Sequence, residues 1–341
     1  MGKILVTGGT GYIGSHTAIE LINAGHEVLI IDDLSNSSID VLDRIEKLSG
    51  KRPVFEQFKL RDSAKVNDFF EEYNIDAVIH FAASKAVGES VSHPMKYYKN
   101  NLVSLANVVD AMSDNNVKNI VFSSSATVYG QPEILPATED SPILPAESPY
   151  GNTKQIGEEM LMDQTVADSS FKAVALRYFN PIGAHESGEN GELPIGVPNN
   201  LMPFITQTAI GLRDGLKIFG DNYNTPDGTA IRDYIHVVDI SKAHVKAVER
   251  MISEESNDQF EVFNLGTGKG FSVKEVIESF EKTTGEKLNY SIAPRRDGDV
   301  EQIFASTDKA NNVLGWKAEK TLDEMTLSAW KWEKFLKSEK A

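Results

Sequence analysis

The chain has 341 residues, which is enough for one large domain or for two domains of ordinary size. Its composition, 40% hydrophobic and 25% charged, is typical of a soluble globular protein. The net charge of −16 would repel nucleic acids and anionic membranes, so neither is an expected partner. The chain contains no cysteine, which excludes disulfides, thiolate metal sites and cysteine nucleophiles.

The amino-terminal residues Met1-Gly2-Lys3 lead directly into a strand-like apolar run, without the pattern of a signal peptide. No apolar run has the length that a bilayer-spanning segment needs. The absence of cysteine fits a reducing compartment. Together these features predict a cytoplasmic protein that does not contact a membrane.

A strand–helix–strand unit opens the chain. Lys3–Thr7 is a predicted strand, a helical pattern follows, and Glu27–Asp32 is a second predicted strand. Gly8, Gly11 and Gly14 lie between the first strand and the helix. Their spacing allows a tight turn, close approach of the backbone to a pyrophosphate, and close packing of helix on strand. The amino end of the helix adds free amide groups and a partial positive charge for the phosphates. This pattern predicts a dinucleotide site.

An acidic residue defines which dinucleotide is expected. Asp32 ends the second strand, about twenty positions after the glycines. Its carboxylate can accept a hydrogen bond from a ribose 2′-hydroxyl and would repel a 2′-phosphate. We therefore predict NAD rather than NADP.

Strands and helices continue to alternate as far as Arg177, which predicts an α/β fold with a doubly wound, Rossmann-type parallel sheet. The further strands are expected at Val54–Phe58, Ala77–His80, Ile120–Ser123 and Ala173–Leu176, and the helices at Val41–Leu48, Ala64–Tyr73, Tyr97–Met112 and Tyr150–Val166.

The pattern changes after Arg177. Residues 181–203 are rich in Gly, Pro and Asn and lack periodicity, which predicts a binding loop. Shorter elements follow: helices at Leu201–Leu212, Val238–Met251, Val273–Thr284, Asp308–Leu314 and Leu322–Leu336, and strands at Lys217–Phe219, Ile231–Ile235 and Phe260–Asn264. We predict a Rossmann domain over residues 1–180 and a second, smaller mixed α/β domain over residues 181–341. Residues of about 230–266 could return to the first domain, and a ligand cleft is expected between the two.

Tyr150 and Lys154 lie one helical turn apart. A tyrosine that removes a proton near neutral pH needs its pKa lowered from about 10 to about 7, which takes roughly 4 kcal/mol of phenolate stabilisation. A lysine one turn away supplies part of this, and a positively charged nicotinamide could supply more. Taken alone, the pair is more typical of an ordinary helical tyrosine and a solvated lysine. The dinucleotide pattern favours the catalytic interpretation.

These features together resemble the extended short-chain dehydrogenase/reductase family, and the resemblance runs nearly end to end. The motifs that carry it are Gly8–His16, His80–Ala83, Lys85–Ser90, Ser123–Gly130, Arg177–Pro181, Pro198–Pro203, Arg232–Val237 and Pro294–Asp299. The resemblance implies reversible epimerisation of UDP-glucose and UDP-galactose at carbon 4, by transient NAD-dependent oxidation to a 4-keto sugar and without a metal. It also implies a homodimer formed through the helices at Tyr97–Met112 and Tyr150–Val166.

The resemblance also implies roles for single residues. Tyr150 would be the acid/base, Lys154 would lower its pKa and bind the nicotinamide ribose, and Ser125 would hydrogen-bond the reacting sugar hydroxyl. The implied cofactor contacts are Gly8, Gly11, Tyr12, Ile13, Gly14, Asp32, Phe81, Lys85, Asn100, Tyr150, Lys154 and Phe179. The implied UDP-sugar contacts are Ser125, Asn180, Asn200, Leu201, Phe219, Arg232, Arg296, Asp299 and Ile303. Residue chemistry agrees for the two arginines, whose planar donors suit a diphosphate.

Two positions depart from the family pattern. An acidic residue that contacts adenine commonly follows the third strand, and Lys59 stands at that position here. Ile303 occupies the position that sets the room for the sugar, where a tyrosine restricts the space and a small residue admits N-acetylated sugars. Isoleucine is intermediate, so the sequence leaves acceptance of UDP-N-acetylhexosamines open.

Two other functions are alternatives to epimerisation. A nucleotide-sugar 4,6-dehydratase adds an Asp-Glu pair beside the Ser125 position, but Ala126 and Thr127 stand there. A non-catalytic NAD sensor could use the same fold, because a fold alone does not define an activity. The presence of Ser125, Tyr150 and Lys154 together argues against that alternative.

Overall fold

The computed structural model describes residues 1–256, 258–295 and 300–339. Its strands are β1 Lys3–Thr7, β2 Glu27–Asp32, β3 Val54–Gln57, β4 Ala77–His80, β5 Asn119–Ser125, β6 Lys172–Tyr178, β7 Asn180–Ile182, β8 Leu216–Phe219, β9 Ile231–Arg232, β10 Tyr234–His236, β11 Phe260–Leu265, β12 Phe271–Ser272, β13 Tyr290–Ala293 and β14 Gln302–Ile303. Its α-helices are α1 Tyr12–Asn23, α2 Val41–Ser49, α3 Ser63–Glu72, α4 Val87–Ser92, α5 Pro94–Tyr97, α6 Val103–Asp114, α7 Pro149–Ala167, α8 Leu201–Ala209, α9 Val237–Ile252, α10 Val273–Thr284 and α11 Leu322–Glu339.

Seven parallel strands form the main sheet in the order β3-β2-β1-β4-β5-β6-β11. The predicted doubly wound α/β fold is confirmed. Successive side chains of β1 show why both faces are covered. Ile4 and Val6 pack into one hydrophobic core and Leu5 packs into the other, because side chains alternate along a strand. Helices α1 and α9 supply the first core, whereas α3, α6 and α7 supply the second.

The strand order reverses at β1, which lies between β2 and β4. Open α/β sheets bind ligands in the crevice that forms outside the carboxyl ends of the strands at such a point. The glycine turn follows β1, Phe81 follows β4, and Ser125 ends β5 at the same edge. The topology therefore gathers the predicted cofactor and catalytic residues along one edge of the sheet.

The later part of the chain forms three small sheets, with strand orders β10-β7, β12-β9-β14 and β13-β8. Its core includes Ile205, Ile218, Phe280, Met325 and Trp330, which pack between α8, α10, α11 and β8. Helix α10 begins with a capping box, in which the Ser272 side chain accepts from the Glu275 N–H and the Glu275 side chain accepts from the Ser272 N–H. These elements carry most of the predicted UDP-sugar contacts.

Two predicted elements are interrupted in the structure, and the helix expected over Asp308–Leu314 is π-helical at Ala310–Leu314. The helix expected over Tyr97–Met112 is interrupted by a π-helical turn at Tyr98–Leu102. There the Asn101 side chain bonds both the N–H and the carbonyl of Ser84, at 2.8 and 3.1 Å. Periodicity cannot reveal such a turn, since it inserts an extra residue into a continuous apolar pattern.

The strand expected over Ile231–Ile235 is divided at Asp233. The Asp233 carboxylate is fully buried and accepts from the N–H groups of Thr267, Gly268 and Ala305 and from the Thr267 hydroxyl. This satisfied carboxylate separates β9, which pairs with β12 and β14, from β10, which pairs with β7. A single predicted strand thus serves two sheets.

Within the described residues, no helix combines the length and the apolar character that a membrane crossing requires. The same part of the chain holds no group of three or more His, Asp or Glu side chains arranged to bind a metal ion.

Candidate active site

The turn after β1 forms a cradle that only glycine permits. Gly8 has a φ of +71°, and a Cβ built there would lie 2.9 Å from the backbone nitrogen of Ala82. A Cβ on Gly14 would collide with the carbonyl oxygen of Gly8. Gly11 caps α1 without a side-chain hydrogen bond, so no capping side chain occupies the first amides of the helix. The cradle therefore fits the pyrophosphate of a dinucleotide.

Asp32 is held at the end of β2, next to this cradle. Its carboxylate accepts from the N–H groups of Thr10 and Leu34, at 3.1 and 2.9 Å. Leu34 has a φ of +57°, a conformation that is uncommon for a residue with a side chain. The carboxylate can accept a hydrogen bond from a ribose 2′-hydroxyl and would repel a 2′-phosphate bound beside it.

The other predicted cofactor contacts surround the crevice. The Tyr12 hydroxyl donates to the carbonyl of Gly183, at 2.6 Å, and so joins α1 to the loop after β7. Ile13 packs partly buried against the first core. Phe81 lies against the ring of His244, with centroids 4.6 Å apart. Asn100 lies in the π-helical turn and donates to the hydroxyl of Ser84, at 3.3 Å.

One carboxylate bridges the predicted cofactor and substrate residues. Glu192 accepts from Lys85 Nζ at 3.2 Å and from Asn200 Nδ2 at 2.8 Å. Glu192 is not among the predicted site residues, because the loop over residues 181–203 has no periodicity that would predict its contacts.

The start of α7 fixes the predicted catalytic pair, Tyr150 and Lys154. The Ser148 hydroxyl caps the helix by accepting from the Gly151 N–H at 3.1 Å, and Pro149 occupies the first turn. Lys154 is 3% exposed, donates to the Ser123 carbonyl at 2.5 Å, and lies with Nζ 5.8 Å from the Tyr150 ring centroid. The helix thus brings the phenol and the amine together against the end of β5.

Burial opposes charge on both members of the pair. It raises the pKa of Tyr150 to about 12, although a hydrogen bond with the Ser125 hydroxyl acts in the opposite direction. It lowers the pKa of Lys154 to about 7, although the carboxylate of Glu158 acts against this shift. The ammonium therefore does not by itself bring the phenol to a neutral pKa, and further positive charge near the ring is needed for Tyr150 to act as a base at neutral pH.

The predicted UDP-sugar contacts come from several elements. Asn180 begins β7, Leu201 begins α8, and Phe219 ends β8 with 39% exposure. Arg232 on β9 lies opposite Ile303 on β14, and its guanidinium donates to the Ile231 carbonyl at 2.8 Å. Arg296 and Asp299 lie outside the described residues.

Ile303 is buried, with 8% exposure, in a cluster that also contains Phe179 and Ala126. The cluster therefore connects Ile303, which is predicted to set the room for the sugar, with Ala126, the residue that follows Ser125. Lys59, the other departure from the family pattern, is exposed two positions after β3, and its carbonyl accepts from the Asp62 N–H at 2.9 Å.

A glycine cradle at the point of strand reversal, a carboxylate at the end of β2, and a Ser–Tyr–Lys set at the end of β5 define a dinucleotide-binding protein of the short-chain dehydrogenase/reductase type. The family model described as GDP-mannose 4,6 dehydratase matches residues 5–328. The UDP-glucose 4-epimerase of Bacillus subtilis is 51% identical over 330 residues, which cover 97% of this chain and 96% of that one. The enzyme of that name from Drosophila melanogaster is 47% identical over 336 residues, with 97% and 96% covered.

Solved structures agree. The crystal structure of UDP-glucose-4-epimerase from Stenotrophomonas maltophila, with bound NAD and formylated UDP-arabinopyranose, matches with a TM-score of 0.96 and 45% identity over 100% of both chains. The enzyme from Bifidobacterium longum, in complex with NAD+ and UDP, matches with a TM-score of 0.93 and 48% identity over 98% of both chains. The chain belongs to the UDP-glucose 4-epimerase family.

Proposed function

We propose that the protein interconverts UDP-glucose and UDP-galactose by NAD-dependent inversion of carbon 4. The observation that carries this proposal is the convergence of Ser125, Tyr150 and Lys154 at the sheet edge where the glycine cradle opens. A phenol with a serine partner and an adjacent lysine is the arrangement that proton transfer at a sugar hydroxyl needs. Relatives with 45–51% identity and nearly full coverage have UDP-glucose 4-epimerase names.

The residues around the crevice fit NAD. Gly8, Gly11 and Gly14 would hold the pyrophosphate, and Asp32 would accept from the adenosine ribose. Lys154 would bind the nicotinamide ribose through an ammonium already held near Tyr150. When bound, the cofactor would supply a hydride acceptor and donor for carbon 4 and, in its oxidised form, a positive charge.

The chain's own residues would handle the proton and the position of the sugar. Ser125 would hydrogen-bond the 4-hydroxyl and orient it towards Tyr150. Tyr150, as phenolate, would take the hydroxyl proton and later return it to the 4-oxygen after the 4-keto sugar has turned over. Arg232 and Arg296 would hold the diphosphate while the hexose turns, because a guanidinium binds phosphate oxygens in a fixed geometry.

The dehydratase alternative lacks its acid/base pair. Ala126 is buried in an apolar cluster beside Ser125, and Thr127 donates its N–H to the Ser125 hydroxyl at 3.2 Å. Neither side chain can act as the acid or base for elimination of water.

Turnover of UDP-N-acetylhexosamines is a second candidate activity of the same site. The observation that favours it is Ile303, which is smaller than tyrosine and packs beside Phe179. A solved structure named UDP-Glc/GlcNAc 4-epimerase, from Campylobacter jejuni, is 38% identical with a TM-score of 0.85 over 98% of this chain and 100% of that chain.

We also propose the organisation of the whole protein. The cofactor domain would cover residues 1–180 together with α9 and β11, which pack on α1 and pair with β6, and the UDP-sugar domain would cover most of the remainder. A homodimer through α6 and α7 is supported by exposed apolar side chains on both helices. A cytoplasmic location is supported by the cysteine-free sequence, which fits a reducing compartment.

The function is tested by incubating the purified protein with UDP-galactose and with UDP-N-acetylgalactosamine, without added reductant. We expect UDP-glucose from the first substrate, and UDP-N-acetylglucosamine from the second if Ile303 leaves enough room. A 4-keto-6-deoxy product would indicate a dehydratase. NAD binding without any product would indicate a sensor and would refute the proposal.

A further inference from the structure

The helix that carries Tyr150 and Lys154 places a third ionisable residue on the same side. Glu158 lies one turn beyond Lys154, and all three are contacted by consecutive residues of β5. Ser125 bonds the phenol, the Ser123 carbonyl accepts from Lys154, and the Ser124 hydroxyl donates to Glu158 at 2.5 Å. Tyr150, Lys154 and Glu158 thus form a row along α7 that follows the end of β5.

The carboxylate of Glu158 is buried and ionically paired. Arg177 on β6 donates through Nε at 2.9 Å and through Nη2 at 2.6 Å, one bond to each carboxylate oxygen. Glu158 is 7% exposed and Arg177 is 5% exposed. Arg177 also donates to the Tyr129 hydroxyl at 2.9 Å, which keeps the guanidinium in place. Such a bidentate pair fixes the position of the carboxylate.

We propose that Glu158 is a positioning residue for the reaction: its buried carboxylate stabilises the ammonium of Lys154 beside the phenol of Tyr150. Resting on the proposed function, this adds a third member to the Tyr–Lys pair. A buried ammonium is costly without an opposite charge. The carbonyl of Ser123 supplies a hydrogen bond but no charge, whereas Glu158 supplies the charge.

The other groups around Lys154 do not supply that negative charge. On β4, burial lowers the pKa of His80 to about 3, so its ring is neutral at neutral pH. Burial raises the pKa of Tyr178 on β6 and of Tyr97 on α5, which keeps both phenols protonated. Arg177 is cationic and is paired with Glu158 itself. Within the described residues, Glu158 is the acidic side chain that acts on the Lys154 ammonium.

A purely structural ion pair would also be buried and bidentate, so the test must read the proton on Lys154. Lysine carrying carbon-13 at its ε position reports the protonation state by NMR, and the Lys154 signal is assigned by its loss in Lys154→Arg. We compare the wild type with Glu158→Gln, which removes the charge, and with Glu158→Asp, which keeps it. This measurement requires no turnover, so its outcome does not depend on the proposed function.

We expect the Lys154 titration midpoint to fall by about one pH unit in Glu158→Gln and to stay near the wild-type value in Glu158→Asp. An unchanged midpoint in Glu158→Gln, in a folded protein, would overturn the proposal. If the unpaired guanidinium prevents folding, the double variant Glu158→Gln with Arg177→Gln removes it, and a smaller fall in the same direction is expected there, because the positive charge of Arg177 is removed together with the carboxylate.

Turnover gives a second readout. If a protonated Lys154 is needed, the alkaline limb of the kcat profile moves to lower pH in Glu158→Gln, and turnover falls about tenfold above the new midpoint with little change in KM. Glu158→Asp restores the limb. A uniform loss of kcat at all pH values in both variants indicates a structural role alone and contradicts the proposal.

Discussion

Tyr150 shows how the chemistry of one side chain depends on neighbours from different elements. Ser125 reaches it from β5, Lys154 from the next turn of α7, and burial raises its pKa to about 12. Each unit of that pKa is worth about 1.4 kcal/mol, so the charges placed near the phenol decide whether it can act near neutral pH.

Removing the phenol oxygen should therefore abolish turnover and spare cofactor binding. We expect Tyr150→Phe to lower kcat by about a thousandfold, within the range for a lost general acid/base. The glycine cradle is untouched, so the variant should still bind NAD. Tyr290→Phe, at an exposed position on β13, is the matched control and should keep full turnover. Turnover of Tyr150→Phe within about threefold of wild type would refute the proton-transfer role.

Asp32 offers a second test at a single side chain. We expect Asp32→Asn to weaken NAD binding by about tenfold, because a hydrogen bond to a charged acceptor is worth about 1.5–3 kcal/mol. The same change should narrow the preference for NAD over NADP. Both affinities are measured by titration calorimetry on cofactor-depleted protein.

The adjacent carboxylate is the control. Asp33 accepts from the Ser35 N–H at 2.9 Å. Among the described residues, no hydrogen bond joins its side chain to the glycine cradle. Asp33→Asn should leave both affinities unchanged, and equal effects of the two substitutions would contradict the assignment of Asp32.

Residues with a recognisable spacing could be found from the sequence, and residues that act through tertiary contacts could not. Tyr150 and Lys154 stand four positions apart, and Asp32 ends a predicted strand. Glu158 becomes informative only once Arg177 and Ser124 are known to contact it. Glu192 joins Lys85 to Asn200 across more than one hundred residues, which no local pattern encodes.

Helices and strands with strong periodicity were predicted within a few residues, because their own side chains determine them. The expected bounds Ala77–His80 and Val273–Thr284 are those observed. The division at Asp233 and the π-helical turn at Tyr98–Leu102 depend on hydrogen bonds to distant loops. Strand β11 was predicted as a strand, but its place beside β6 follows from long-range packing and not from its own sequence.

Helices α6 and α7 lead to a prediction about assembly. Both bury one side in the same core through Leu105 and Leu161, and both expose apolar side chains on the other. Val103 is 42% exposed, Met162 46% and Val166 81%. We take these side chains as the candidate contacts of the proposed dimer.

A charge on that surface should weaken association. We expect the wild type to sediment as a dimer at micromolar concentration, and we expect Val166→Glu to shift it towards monomer. Val313→Glu places the same charge at a position that is 43% exposed outside these helices, and should leave the dimer intact. A monomeric wild type, or an equal shift in both variants, would argue against this interface.

At the scale of the whole molecule, burial keeps four of the histidines neutral. It lowers the pKa of His16 and His244 to about 4, and of His80 and His236 to about 3, from an ordinary 6.5. Between pH 6.5 and about 4 the unfolded chain binds protons at these positions that the folded chain does not. The free energy of unfolding therefore rises with pH across this window, and the stabilisation that the neutral rings contribute is lost as the pH falls.

Urea unfolding at a series of pH values between 7 and 4.5 measures this slope. His244→Leu removes a ring whose Nε2 is buried without a hydrogen-bond partner among the described residues, and should reduce the slope by up to one proton. His93→Gln, at an exposed position, should leave the slope unchanged. A slope that is the same in wild type and His244→Leu would contradict this role of the buried rings.

Transient oxidation of carbon 4 is tested most directly by following the hydrogen on that carbon. UDP-galactose that carries deuterium at carbon 4 is converted in ordinary water, and the UDP-glucose formed is analysed by NMR. We predict that the deuterium remains at carbon 4 of the product, because the proposed mechanism returns to carbon 4 the same hydride that it removes. Replacement of the deuterium by solvent hydrogen would contradict the mechanism.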